Sequence, residues 1–241
     1  MSKTGTMQIS SPTIVLVHGA FAESASWSSV ISRLREHDLS VIAAANPLRD
    51  VAGDAATVAG LIAGIEGPVV LVGHSYGGQV ISQIHDDKVK ALVFVAAFAP
   101  EAGESIGELS AKFPGSTLGA TLAAFSLPDG TTDLYITQDR YQHQFAADLA
   151  EDQAALGAVT QRPLSDRALN GKSAEPSWRG RRSWFIYPEL DLNIPLETHR
   201  YMADRAGAKT VIEIAGASHA LPVSQPNAVA DVILQAVRAI A

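Results

Sequence analysis

Cysteine is absent from the chain. That excludes disulfides, thiolate catalysis and cysteine-ligated metal centres together. A basic excess is also missing: 18 Lys and Arg face 25 Asp and Glu, for a formal net charge of −7. Nucleic acid and anionic membrane surfaces are therefore poor partners. No apolar run is long enough to cross a bilayer. No His, Asp or Glu set has a metal-ligand spacing such as H-E-x-x-H, and neither G-x-G-x-x-G nor G-x-x-x-x-G-K-[ST] occurs. No metal, nucleotide or other cofactor is expected. Met1 to Ser11 is short and polar, without the apolar stretch of a secretory signal, so residues 1–12 are expected to be a disordered leader and the protein cytoplasmic. Internal repeats and low-complexity tracts are lacking too. What remains is 241 residues, 47% of them hydrophobic, enough for one large α/β domain with an insertion.

The most informative stretch is Leu71-Val72-Gly73-His74-Ser75-Tyr76-Gly77-Gly78, which reads G-x-S-x-G. Chance matches to that pattern are common; the flanks give this one its weight. Pro68 to Val72 is a β-branched run suited to a buried strand. Gln79 to Ile84 suits a helix. A serine between such elements sits on a sharp, strained turn that pushes its hydroxyl beyond the strand end. Gly73 and Gly77 leave room where a Cβ would clash.

Strands and helices alternate along most of the chain. Strands are expected at Thr13–Val17, Ser40–Ala44, before Ser75, at Val89–Ala96, Arg182–Tyr187 and Thr210–Ile214. Helices are expected near Ser26–Glu36, Val51–Ile65, Leu196–Ala206 and Pro226–Ile240. This order implies a mostly parallel sheet with helices on both faces. Residues 98–180 break the alternation. They hold no clear buried strand but do hold helical stretches such as Gln142–Ala158, and read as a helical cap inserted over the strand ends. The expected core is thus 13–97 with 181–241.

A serine hydroxyl needs a base within hydrogen-bond reach, and the base needs an orienting acid. His219, in a small-residue loop after the last strand, is the candidate base. Asp191, in the loop after the preceding strand, is the candidate acid. Glu189 is its rival, nearer the strand end and expected to face the other way. In a parallel sheet these loops open on one edge, and the order Ser, Asp, His matches the α/β-hydrolase arrangement. Backbone N–H groups of Tyr76 and Ala20 are the candidate oxyanion donors, Ala20 lying in the loop His18-Gly19-Ala20-Phe21. Phe21, Trp27 and Leu221 flank these loops and are candidate pocket residues. Among the other histidines, His74 is assigned to packing and His18 to tethering the oxyanion loop. His37, His85 and His199 are expected on solvated helix ends or faces, and His143 exposed in the cap. Tyr135, Tyr141 and Phe145 are expected in the cap core.

With these motifs in order, the chain resembles an α/β-hydrolase from Thr13 to Ala241. It is most similar to the small capped esterases: the plant methyl-esterase and hydroxynitrile-lyase group and bacterial pyrethroid-hydrolase-like relatives. The resemblance implies an α/β-hydrolase fold and a serine esterase acting on a small-molecule ester, with a homodimer as an allowed assembly. Two strands usual in the family have no room before Thr13, so a six-stranded sheet is expected. Lyases of this group carry Thr where Gly19 stands and Lys where Ala220 stands, so the resemblance favours ester hydrolysis over cyanohydrin cleavage. Lactone or carbon–carbon hydrolysis, peracid formation, cofactor-free oxygenation and ligand reception are alternatives the fold leaves open.

Overall fold

The computed structural model describes residues 11–240; most of the expected leader lies outside them. Nine strands are described: β1 (Thr13–Val17), β2 (Ser40–Ala44), β3 (Val69–His74), β4 (Val89–Val95), β5 (Leu122–Ser126), β6 (Thr132–Ile136), β7 (Leu164–Ser165), β8 (Arg182–Pro188) and β9 (Thr210–Ile214). The helices are α1 (Ser28–Arg35), α2 (Val51–Ala63), α3 (Tyr76–Ser82), α4 (Ile106–Ser110), α5 (Gln138–Phe145), α6 (Glu151–Thr160), α7 (Asp166–Asn170), α8 (Leu196–Arg205), α9 (Leu221–Ser224) and α10 (Pro226–Ile240).

Six strands form one sheet in the order β2-β1-β3-β4-β8-β9, and every neighbouring pair runs parallel. Strand side chains alternate between faces, and the sequence exploits this on both. Val69 and Leu71 of β3 join a cluster with Val58 and Ile62 of α2 and Met202 of α8. Val70 and Val72 join another with Val30 and Leu34 of α1 and Val232 and Ile233 of α10. Each fully buried aliphatic side chain stabilises by about 1.5–3 kcal/mol relative to exposure. In α2 the residues Val51, Ala55, Val58 and Ile62 are buried, the spacing of a helix with one apolar face. Its N-cap, Asp50, accepts the Gly53 N–H at 2.8 Å. No described helix is long and apolar enough to cross a membrane.

The segment between β4 and β8 is not purely helical, as it was expected to be. β5, β6 and β7 form a separate three-stranded antiparallel sheet. β5 and β6 are mostly half-buried or exposed and β7 is only two residues long, so they leave no buried-strand signature. The available signal was the turn between β5 and β6, Pro128-Asp129-Gly130: Gly130 has φ 80, and Asp129 accepts the Thr131 N–H at 3.0 Å, a turn composition with a mechanism. The helix expected over 142–158 is two helices, α5 and α6, interrupted after Phe145.

Candidate active site

Ser75 joins β3 to α3 with φ 54 and ψ −123. A non-glycine residue held there costs on the order of 1–3 kcal/mol, so its surroundings must enforce it. Its carbonyl accepts the N–H groups of Gly78 at 2.9 Å and Phe98 at 3.1 Å. The flanking glycines are sterically required. A Cβ on Gly73 would lie 2.7 Å from the Gly77 backbone, and one on Gly77 would lie 2.4 Å from the Val17 carbonyl.

The loops after β8 and β9 bring Asp191 and His219 together. His219 Nδ1–H donates to Asp191 Oδ2 at 2.7 Å. Asp191 Oδ1 accepts the N–H groups of Asn193 at 2.8 Å and Ile194 at 2.9 Å. Burial alone pushes this carboxyl up. The His219 charge and the hydrogen bonds from His199 and His219 outweigh it and hold the group well below the usual carboxylate range. With Nδ1 as donor, His219 Nε2 carries the lone pair. It is buried without a hydrogen-bond partner among the described residues, and it shares a cavity wall with Ser75. Glu189 points elsewhere: it is exposed, and its carboxylate accepts the Gly216 N–H at 2.9 Å.

His199 corrects the sequence reading. It is not solvated but fully buried, because α8 turns that face against β8, where its ring stacks on Tyr187 at 5.0 Å and 4°. Its Nε2–H donates to Asp191 Oδ2 at 3.0 Å. A polar residue flanked by Thr198 and Arg200 gives no local signal of burial; only its spacing from buried Met202 hints at the shared face.

Ala20 and Tyr76 both border the cavity, and neither backbone N–H donates to another group among the described residues. The Ala20 loop is fixed from two sides. His18 Nδ1–H donates to the Gly19 carbonyl at 2.9 Å, and its Nε2 accepts the Asn46 N–H at 3.1 Å. Desolvation, with the Arg162 charge adding to it and the Gly19 hydrogen bond opposing it, lowers the His18 pKa to about 4. From the cap, the Arg162 carbonyl accepts the Phe21 N–H at 2.9 Å, and the Tyr141 hydroxyl donates to the Phe21 carbonyl at 2.8 Å. Phe21 itself sits at φ 58. The Tyr76 hydroxyl donates to buried Asp54 at 2.7 Å. Burial raises the Asp54 pKa despite that hydrogen bond.

His74, next to Ser75, is buried, and its Nε2–H donates to the His219 carbonyl at 3.0 Å. It thereby steadies the backbone of the candidate base. Desolvation and the neighbouring His219 charge lower its pKa to about 3. The cap also reaches this loop: Ser218 donates its hydroxyl hydrogen to Asp148. His37 and His143 are exposed; His85 is exposed too, with its Nε2–H on the Glu175 carbonyl.

The cavity over Ser75 has a volume of about 440 Å³. Phe21 lines it, but Trp27 and Leu221 do not. Both lie fully buried in the cluster between the opposite sheet face, α1 and α10. Their proximity in sequence to the loops of Ala20 and His219 does not carry their side chains to the cavity, because they pack in the cluster on the other face of the sheet. Tyr141 and Phe145 are buried and stacked on each other at 5.1 Å, and Phe145 presents an edge to His219 at 4.9 Å. Tyr135 is only half-buried and packs on Phe125 at 5.6 Å.

A family model for the alpha/beta hydrolase family matches residues 14–232. Esterase PIR7B of Oryza sativa subsp. japonica is 27% identical over 95% of this chain and 98% of its own. Alpha-hydroxynitrile lyase of Arabidopsis thaliana is 26% identical over 68% of this chain and 67% of its own. Among solved structures, polyneuridine aldehyde esterase superposes with a TM-score of 0.79 at 21% identity, covering 94% of this chain and 99% of that one.

Proposed function

The chain belongs to the alpha/beta hydrolase family, and we propose that it is a carboxylic ester hydrolase forming an acyl-enzyme on Ser75. The observation that carries this reading is the single cavity shared by Ser75, on its strained turn, and His219, whose Nδ1 is already committed to Asp191 while Nε2 is free. Nε2 takes the Ser75 proton as Oγ attacks the ester carbonyl carbon. The oxygen of the tetrahedral intermediate accepts hydrogen bonds from the Ala20 and Tyr76 N–H groups, each worth roughly 3–4 kcal/mol of barrier. His219 then delivers its proton to the leaving alcohol. Water, deprotonated by the same nitrogen, attacks the acyl group and frees the acid and Ser75. Asp191 fixes the imidazole tautomer and stabilises the imidazolium.

The cavity lining supports a narrower reading of the ester. Among the described residues, no Asp, Glu, Lys or Arg side chain lines it. Its polar side chains away from the reacting atoms are engaged: Ser110 bonds Ser116 and the Asn193 carbonyl, and Asn193 exchanges hydrogen bonds with Gln144. Hydrogen-bonding capacity is thus concentrated at the reacting atoms, and the remaining wall is apolar, with Phe98, Ile106, Leu118 and Leu134 in it. An ester with uncharged, apolar acyl and alcohol parts suits this wall. A free carboxylate or ammonium would be desolvated there without compensation.

Cyanohydrin cleavage asks for a hydroxyl donor near the oxyanion loop and a cation for departing cyanide. Gly19 and Ala220 supply neither. Assaying p-nitrophenyl butyrate, a p-nitrophenyl hemisuccinate and mandelonitrile side by side tests the whole reading. Fast butyrate turnover, weak hemisuccinate turnover and no cyanide release are expected. Cyanide release without ester turnover, abolished by Ser75→Ala, would replace hydrolysis by lyase chemistry.

A further inference from the structure

One oxygen of Asp191 serves two histidines. Oδ2 accepts from His219 at 2.7 Å and from His199 at 3.0 Å, while Oδ1 is filled by the Asn193 and Ile194 amides. We propose that His199 is a positioning residue for the hydrolysis: a neutral, fixed hydrogen-bond donor that sets the rotation of the Asp191 carboxylate and tempers its pull on His219. The proposal rests on the reading of Ser75 and His219 as nucleophile and base.

His199 is held as a donor rather than as a cation. With Nε2–H committed to Asp191, its Nδ1 is buried without a hydrogen-bond partner among the described residues. A second proton placed on Nδ1 would be an unsatisfied buried donor, which is costly. Burial correspondingly lowers the His199 pKa, against the opposing effect of Asp191. The ring cannot swing away, because Tyr187 of β8 lies flat against it. The charged and titratable groups around it are few. Asp191 and His219 reach it from the loops after β8 and β9, and the Tyr187 ring covers one face. On its own helix, Glu197 and Arg200 pair with each other, and Arg200 also pairs with Glu213 of β9, at the exposed surface.

A carboxylate oxygen that accepts two N–H groups spreads its charge over both, so each bond is weaker than it would be alone. Removing the His199 donor concentrates the charge on the His219 bond and favours the imidazolium. A base that holds its proton more tightly is neutral only at higher pH. The acid limb of kcat/KM should then move upward in pH. The freed carboxylate also loses one constraint on its rotation, so the plateau should fall.

The test compares His199→Phe, which keeps a ring to stack on Tyr187 but has no donor, with His199→Gln, which keeps an N–H donor without the ring. In His199→Phe the acid limb should move up by roughly one pH unit, the scale of a hydrogen bond to a charged group, and the plateau should fall. In His199→Gln both should return toward wild type. An unmoved limb in a folded His199→Phe, or equal shifts in both variants, would overturn the proposal while leaving the triad standing. Loss of the triad reading itself would instead show as wild-type turnover in Ser75→Ala. Should His199→Phe fail to fold, ¹⁵N imidazole spectra of the wild type decide. His199 should be in its neutral Nε2–H form at neutral pH and remain so at the pH where a free imidazole takes up its second proton. A doubly protonated or Nδ1–H ring at either pH would refute the assignment.

Discussion

Gly19 faces Ser75 so closely that a methyl group on Gly19 would lie 2.5 Å from the Ser75 Cβ and 2.7 Å from the His74 carbonyl oxygen. Neither atom is the end of a flexible side chain, so one of the two loops must move. The loop carrying Ala20 is tied by His18 and Asn46 on one side and by the cap on the other. Gly19→Ala should therefore displace the Ala20 donor and lower kcat by roughly 10²- to 10³-fold, the cost of losing one oxyanion donor. Steady-state kinetics on an activated ester give the answer. An undiminished kcat would remove Ala20 from the oxyanion hole.

Asp191→Asn should lower kcat by about 10⁴-fold, because an amide cannot hold the required tautomer or stabilise the imidazolium. Glu189→Gln should stay near wild type, since that side chain is exposed and meets only the Gly216 amide. Equal losses in the two variants would contradict the assignment of Asp191 as the acid.

Tyr76 has two separable jobs. Its backbone N–H is the proposed oxyanion donor; its hydroxyl donates to Asp54 in the core. Tyr76→Phe leaves Asp54 with the Arg49 amide as its remaining partner outside its own helix. The unsatisfied carboxyl should cost about 1–3 kcal/mol of stability and lower Tm by several degrees, with kcat retained. A tenfold loss of kcat at unchanged Tm would instead give the phenol a part in the chemistry.

Stability should fall on mild acidification. His18 binds a proton only near pH 4 and His74 only near pH 3, and His199 is lowered as well. An unfolded histidine binds one near roughly 6.5. From that value downward the unfolded chain holds more protons than the native one, so stability declines as pH drops toward the folded values. At about pH 5, His18 and His74 should each contribute a loss on the order of 2 kcal/mol. Asp54 runs the other way, because its raised pKa makes protonation favour the folded state, but three histidines outnumber it. Urea midpoints at pH 7.5 and 5.0 measure the balance. A midpoint that stays level or rises at the lower pH would contradict the buried neutral histidines.

The parallel core and the placement of Ser75, Asp191 and His219 were legible because parallel strands are buried runs and their C-terminal loops share an edge. Val69–Val72 and Thr13–Val17 announce themselves, and His219 follows the last such strand. Three features were not legible. β5 and β6 are half-exposed, so their strand character lay only in the turn at Asp129-Gly130. Trp27 and Leu221 are close in sequence to the site, yet the sheet separates them from it. His199 sits among polar neighbours on α8, and only the tertiary contact with β8 decides that its face is inward.

The central claim is that Ser75 is the nucleophile, and covalent trapping tests it most directly. The protein is treated with a fluorophosphonate, the adduct counted by intact mass and located by peptide mapping. One adduct on Ser75, loss of turnover in step with its formation, and no adduct in Ser75→Ala are the results the proposal predicts. An adduct on another residue with Ser75 unmodified, or wild-type turnover by Ser75→Ala, would contradict the account.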